Sequence, residues 1–284
     1  MNPEGSPKEK ERFSPKVRRV IREKGVLYVV GAVVRRVRVR WKISVAFPFW
    51  YNYYRLFKSR SRFVFQKREY RYFYHKYNVT WRNERTVEVP IVWHIAESFN
   101  GSILEVGNVL SHYFKFDHDI VDKYEKAVGV INEDVTEIST SKKYDLIISI
   151  STLEHVGWDE NPNEKKIVDD SEKILQAINK LKSLLNPGGK IVATLPLGYN
   201  PYLDELLRSG KLKFDEQFCL KRVSKENKWI ETDCKGALAN AKFNHNIPSA
   251  YELTIGVIKH ELGKKQGTSL RHQDYEQLGE STNE

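Results

Sequence analysis

The 284-residue chain carries 47 Lys and Arg against 37 Asp and Glu, a net charge of +10, and only two cysteines. That length holds one large domain, or a domain with an appendage, and a core of this size needs no covalent staples. Cys219 and Cys234 lie outside any CxxC or Cys/His metal spacing, so no zinc module is expected, and the scarcity of thiols points to a reducing, cytoplasmic interior rather than a disulfide framework.

In chain order, residues 1–16 are polar and charged without a signal-peptide pattern and read as a disordered arm. Residues 17–80 form a basic aromatic N-terminal extension. The first eighty residues hold 21 basic and 5 acidic side chains and 17 of the 34 aromatics, a net +16, which leaves −6 for the remainder. The apolar run at 25–34 is half the length that a membrane-spanning helix needs. From Arg36 to Val45 basic and apolar residues alternate, the period of a strand with one basic face, although a helix remains open there. Three uses suit this front. It can anchor on an anionic membrane surface through Trp, Tyr and Arg, making the protein peripherally membrane-associated. It can stack and neutralise RNA. Or it can cap the body or a second subunit.

Beyond Thr80 the character changes. TWRNERTVEVPIVWHIAES reads as a strand or helix pair, and short apolar runs follow: ILEV, HDIVDKY, VGVI, YDLIISI and KIVATLP. Between the last two, Ile174, Leu175, Ile178, Leu181 and Leu185 share one helical face, with Asp170 or Ser171 as cap and Asn186-Pro187-Gly188-Gly189 as terminator. Strands alternating with helical segments predict an α/β fold with a mostly parallel sheet and helices on both faces. EQFCLKRVS and AYELTIGVIKH suit an antiparallel pair at the sheet edge. Residues 261–284 read as a disordered tail.

The stretch ILEVGNVLSHY runs from a buried strand into a single glycine. It lacks G-x-G-x-x-G, and Val109 and Leu110 would crowd a pyrophosphate. Alone it fits either a degenerate cofactor loop or an ordinary strand end. Its companions are acids at successive strand ends: Glu105 before Gly107, then Asp122, Asp134 and the Glu154-His155 pair after YDLIISISTLEHV. This succession, with LKSLLNPGGKIVATLP, resembles the class I S-adenosylmethionine-dependent methyltransferases over about residues 102–260. The resemblance implies a Rossmann-like sheet of seven strands with the last antiparallel, a methyltransferase domain over 81–260, and S-adenosyl-L-methionine as cofactor.

It also implies roles. Glu105, Gly107 and Asn108 would meet the methionyl end and Asp122 the ribose, with Glu125 as fallback. Asp134 and the Val135 backbone would hold adenine, and the backbone of Ser149, Ile150 and Ser151 would border the reacting methyl. His155, beside Glu154, is the candidate catalytic base, although a Glu-His pair can also serve the helix start. Asp117-His118-Asp119 looks like a metal cluster but lies on the approach to a strand, so no metal is expected. Tyr199 and Asn200 are placed to line an acceptor pocket, and residues 157–166 to close it as a lid. The expected activity is O-methylation of a small-molecule, saccharide-like or lipid-linked acceptor. Nucleic-acid methylation is the alternative enzyme, with the Asn/Asp-Pro-Pro-Tyr signature of amino-group methylation absent. A non-catalytic membrane or RNA adaptor is the alternative outside catalysis.

Overall fold

The computed structural model describes residues 45–158, 171–245 and 248–260, with scattered positions between 20 and 34. The expected arm at 1–16, nearly all of the alternating segment at 36–45, residues 159–166 of the lid and the tail at 261–284 lie outside the described residues.

Helix α1 (Phe47–Phe57) opens on Pro48, whose fixed φ suits a first turn. None of its residues is buried; Phe47, Tyr51 and Tyr54 lean on Trp81 at ring distances of 6.4, 5.9 and 6.3 Å. Strands β1 (Arg62–Phe65) and β2 (Arg68–Arg71) then form a hairpin. Its two-residue turn, Gln66-Lys67, holds both φ angles positive, which matches the twist of the paired strands. Alternation along β1 buries Phe63 and Phe65 against the body. A 3-10 segment over Tyr77–Arg82 leads into α2 (Arg85–Glu97), which is buried along most of its length.

The main sheet has eight strands in the order β5-β4-β3-β6-β7-β12-β8-β9. Strands β3 (Ile103–Val106), β4 (Asp119–Val121), β5 (Val130–Ile131), β6 (Tyr144–Ile150) and β7 (Leu185–Pro196) pair in parallel. Strand β12 (Glu252–Lys259) runs antiparallel between β7 and β8 (Glu216–Arg222). This is a Rossmann-like, mostly parallel sheet, one strand larger than expected because β9 (Trp229–Thr232) adds an edge. The late pair β8 and β12 is antiparallel as read, but β12 lies inside the sheet and β9 takes the edge.

Two apolar layers cover the sheet. In β6, Leu146, Ile148 and Ile150 join α2 and the β1–β2 hairpin on one face, while Ile147 joins the other. That second face is covered by α3 (Ser171–Ser183), α4 (Pro201–Arg208) and α5 (Cys234–Ala239). Ile174, Ile178 and Leu181 of α3 are buried as their spacing predicts, whereas Leu185 belongs to β7. A short antiparallel pair, β10 (Phe243–Asn244) and β11 (Ser249–Ala250), precedes β12. Between β3 and β6 the connections contain no α-helix, only a 3-10 turn over Leu110–His112.

The cysteine reading is corrected. Cys219 of β8 and Cys234 at the start of α5 form a disulfide across a Cα separation of 5.1 Å. A sequence separation of 15 concealed this, because the β8–β9 turn folds the chain back on itself. The inference of a reducing compartment therefore loses its support.

Candidate functional site

The parallel strands end along one edge, and there Gly107 sets the local geometry. Its φ of +83° is one that side chains rarely adopt, and a Cβ at this position would stand 2.1 Å from Thr152 Oγ1. The close approach of these two loops forms one wall of a cavity of 560 Å³. Of the sequence-predicted residues, the cavity gathers Gly107, Asn108, Asp122, Asp134, Val135, Ser151 and His155. Val109 lines it without filling it, and Leu110 turns away into the core.

Glu105 does not reach the cavity. Its carboxylate, fully buried, accepts the amides of Val109 (2.9 Å) and Leu110 (2.6 Å) and bonds His118 Nε2 at 2.8 Å. It therefore shapes the loop from below. His118 in turn stacks on Phe116 at 3.7 Å. Ser149 and Ile150 do not line the cavity either: β6 is central, both side chains are inaccessible, and the backbone there pairs with β7. Only Ser151, with an unusual φ of 42°, turns into the opening. Three bonds hold it there, from its amide to Thr194 O (3.0 Å) and Thr194 Oγ1 (3.1 Å) and from its hydroxyl to Glu88 Oε2 (2.7 Å).

The two aspartates differ in what they have left to offer. Asp122 accepts the amides of Asn108 (3.2 Å), Tyr124 (2.8 Å) and Glu125 (2.7 Å). A carboxylate has about four lone-pair sites, so Asp122 keeps room for one more donor. Glu125, the fallback, binds Asn108 Nδ2 at 2.8 Å and His112. Asp134 is saturated by Lys123, Lys173 and the amide and hydroxyl of Thr136. Those bonds outweigh its partial burial and hold its carboxyl well below the usual range. These four bonds make Asp134 an organiser of its own loop.

A second cavity of 670 Å³ adjoins the first, and Asn78, Arg85, Ser151 and His155 line both. Glu154 opens onto this second cavity, not the first. It is 1% exposed, its Oε2 has no hydrogen-bond partner among the described residues, and burial pushes its carboxyl up to about 8, with His155 opposing. His155 Nε2 lies 3.8 Å from Glu154 Oε1, and its Nδ1 lies 3.2 Å from the Tyr199 hydroxyl. Tyr199 lines the second cavity. Asn200 does not: its Oδ1 caps α4 by accepting the amides of Tyr202 and Leu203, and its Nδ2 donates to Glu154 O at 2.8 Å.

Sequence reasoning missed the contribution from before the sheet. Asn78 and Val79 hold positive φ angles of 54° and 50°, turning the chain where the cavities meet. Arg85, half-buried at the head of α2, donates to Ile150 O at 3.2 Å and pairs with Glu88 at 3.3 Å. Glu88 also accepts Thr194 Oγ1 at 2.7 Å. The available signal was the charged trio Glu84, Arg85 and Glu88 at the start of a largely apolar helix, since buried charges survive only when paired.

No protein-family model and no curated protein matches the sequence. Among solved structures, the chain is similar to the N-methyltransferase NodS from Bradyrhizobium japonicum WM9 in complex with S-adenosyl-L-homocysteine, at 15% identity and a TM-score of 0.38 over 63% of this chain and 88% of that one. It is similar to a 1,6-didemethyltoxoflavin N1-methyltransferase from Burkholderia thailandensis, at 12% identity and a TM-score of 0.36 over 60% and 76%. It is also similar to an S-adenosylmethionine-dependent methyltransferase from Thermotoga maritima, at 12% identity and a TM-score of 0.36 over 60% and 87%.

Proposed function

We propose that the chain is an S-adenosylmethionine-dependent methyltransferase that binds its cofactor in the cavity beside Gly107 and its acceptor in the adjoining one. The observation that carries this reading is the shared wall: His155 lines both chambers, so a group held in one can meet a group held in the other beside a titratable side chain. The residues of the first chamber fit an adenosyl ligand in size and chemistry. A volume of 560 Å³ lies within the usual range for small-molecule sites, and the bare Gly107 lets the backbone approach closely. Asp122 would accept one ribose hydroxyl, and the Val135 backbone would take over adenine recognition.

When bound, the cofactor supplies a methyl group made reactive by the positive sulfur. The protein's part is alignment and proton removal. A hydroxyl acceptor, saccharide-like or lipid-linked, would lose its proton to His155. Tyr199 would fix one ring nitrogen, leaving the other to take the proton. Helix α1 supports peripheral membrane association, because Phe49, Leu56 and Phe57 face solvent at 62, 68 and 74% exposure beside Arg55 and Lys58. No helix among the described residues is long and apolar enough to cross a membrane.

Isothermal titration with S-adenosylhomocysteine tests the assignment. Binding is expected, and Asp122→Ala should weaken it by about 1.5–3 kcal/mol, one hydrogen bond to a charged acceptor. Absence of heat at about millimolar ligand would remove the enzyme reading. Unchanged affinity in the variant would mean the ribose lies elsewhere.

A further inference from the structure

The acceptor chamber does not end at its own walls. Phe47 and Arg82 also line a third cavity, a groove of 750 Å³ between α1, Trp81 and the turn after β8. Its chemistry is one-sided. Arg82, Arg222 and Lys225 line it, and no carboxylate does. Among the described residues none of these three forms a salt bridge. Arg222 donates only to carbonyl oxygens, those of Arg82, Ser224 and Lys225, at 3.2–3.5 Å. Its partial burial pulls its pKa below the usual guanidinium value, a sign that the charge is poorly compensated. The nearest acids are otherwise engaged: Glu226 pairs with Lys58 at 3.5 Å, and Glu84 accepts the Ala250 amide at 2.8 Å.

Opposite the cations stands an aromatic wall. Trp50 is half exposed, with its ring 6.5 Å from that of Tyr54, and Tyr54 is stacked in turn on buried Trp81. Tyr251 closes the far side beneath Arg222. Unpaired guanidinium and ammonium groups favour a multiply charged oxyanion, and guanidinium forks suit phosphate in particular. Exposed indole and phenol faces favour a ring laid flat against them.

We propose that this groove holds the anionic part of the acceptor, a phosphate carried on a ring that lies against Trp50, while the acceptor's hydroxyl extends past Phe47 toward His155. The placement of the hydroxyl rests on the methyl-transfer reading; the phosphate site itself does not. The same chemistry occurs in a glycosyl phosphate and in a nucleotide, which the probes separate.

The test is a tryptophan-fluorescence titration of the full chain at low salt with glucose 1-phosphate, uridine monophosphate, glucose and glucuronate. S-adenosylhomocysteine calorimetry is run on the same samples. At least one phosphate probe should bind saturably, about tenfold or more tighter than glucose and glucuronate, and the tighter of the two names the source. Arg82→Gln combined with Lys225→Gln should weaken that probe by about tenfold or more and leave S-adenosylhomocysteine binding unchanged. Phosphate probes no better than glucose or glucuronate would overturn the proposal, as would a double variant that binds them as the parent does. Phosphate binding without S-adenosylhomocysteine binding would keep the groove and remove the methyltransferase reading; the converse would do the opposite.

Discussion

Replacing Glu154 with glutamine should flatten part of the pH dependence of stability. The carboxyl is 1% exposed with one oxygen unpartnered among the described residues, and burial raises it from 4.5 to about 8. In that interval the native protein keeps a proton that the unfolded chain has released. The folded state is therefore favoured below pH 4.5, and this advantage is lost progressively as pH rises to about 8. At about 1.4 kcal/mol per pH unit, the interval amounts to roughly 5 kcal/mol as an upper bound. Glutamine keeps the size and has no proton to lose. Glu84 and Asp204 are also raised by burial, to about 7 and about 6, so the parent alone will show a composite slope. Only the difference between variant and parent isolates Glu154. Urea unfolding between about pH 5 and about pH 9 should show the variant gaining several kcal/mol relative to the parent, the gain levelling off above about pH 8. A difference constant to within about 0.5 kcal/mol across that range would show that Glu154 is not held neutral by its surroundings.

Three further outcomes are expected. Glu105→Gln should cost about 1.5–3 kcal/mol of stability by denaturant unfolding, because the amides of Val109 and Leu110 lose their charged acceptor; an unmoved midpoint would mean the loop holds itself. Gly107→Ala should reduce S-adenosylhomocysteine affinity by about tenfold or more, since the new methyl meets Thr152 and the backbone resists it; parent-like binding in a folded variant would place the cofactor elsewhere. In vesicle flotation at low salt, the parent should bind anionic lipid and Leu56→Ser with Phe57→Ser should lose about tenfold in partitioning; failure of the parent to float would end the membrane reading.

Much of the sheet was legible because its strands are short apolar runs. ILEV, YDLIISI and KIVATLP are buried on both faces and leave no other conformation in which to hide so much apolar surface. WIET was missed because it is an edge strand with two exposed residues and no such run. At the site, the sequence shows carboxylates following successive strands, and Asp122 and Asp134 do face one chamber. It did not disclose which oxygens were already taken. Glu105 and Asp134 look alike on paper as ligands, and both are filled by neighbours: loop amides for the first, two lysines and a threonine for the second. Those partners lie 2 to 39 residues away along the chain, and only the fold brings them into reach. Arg85 was hidden for a related reason, since its value lies in where α2 docks rather than in any local motif.

The composition break near residue 80 falls in the wrong place for dissection. Phe63, Phe65 and Tyr72 precede it, yet they share a buried layer with Leu146, Ile148 and Val192 from the centre of the sheet. Tyr77 and Asn78 precede it as well and stand at the mouth of the inner chamber. Trimming the basic front at that break would strip the roof from the inner chamber and leave the apolar face of the sheet exposed.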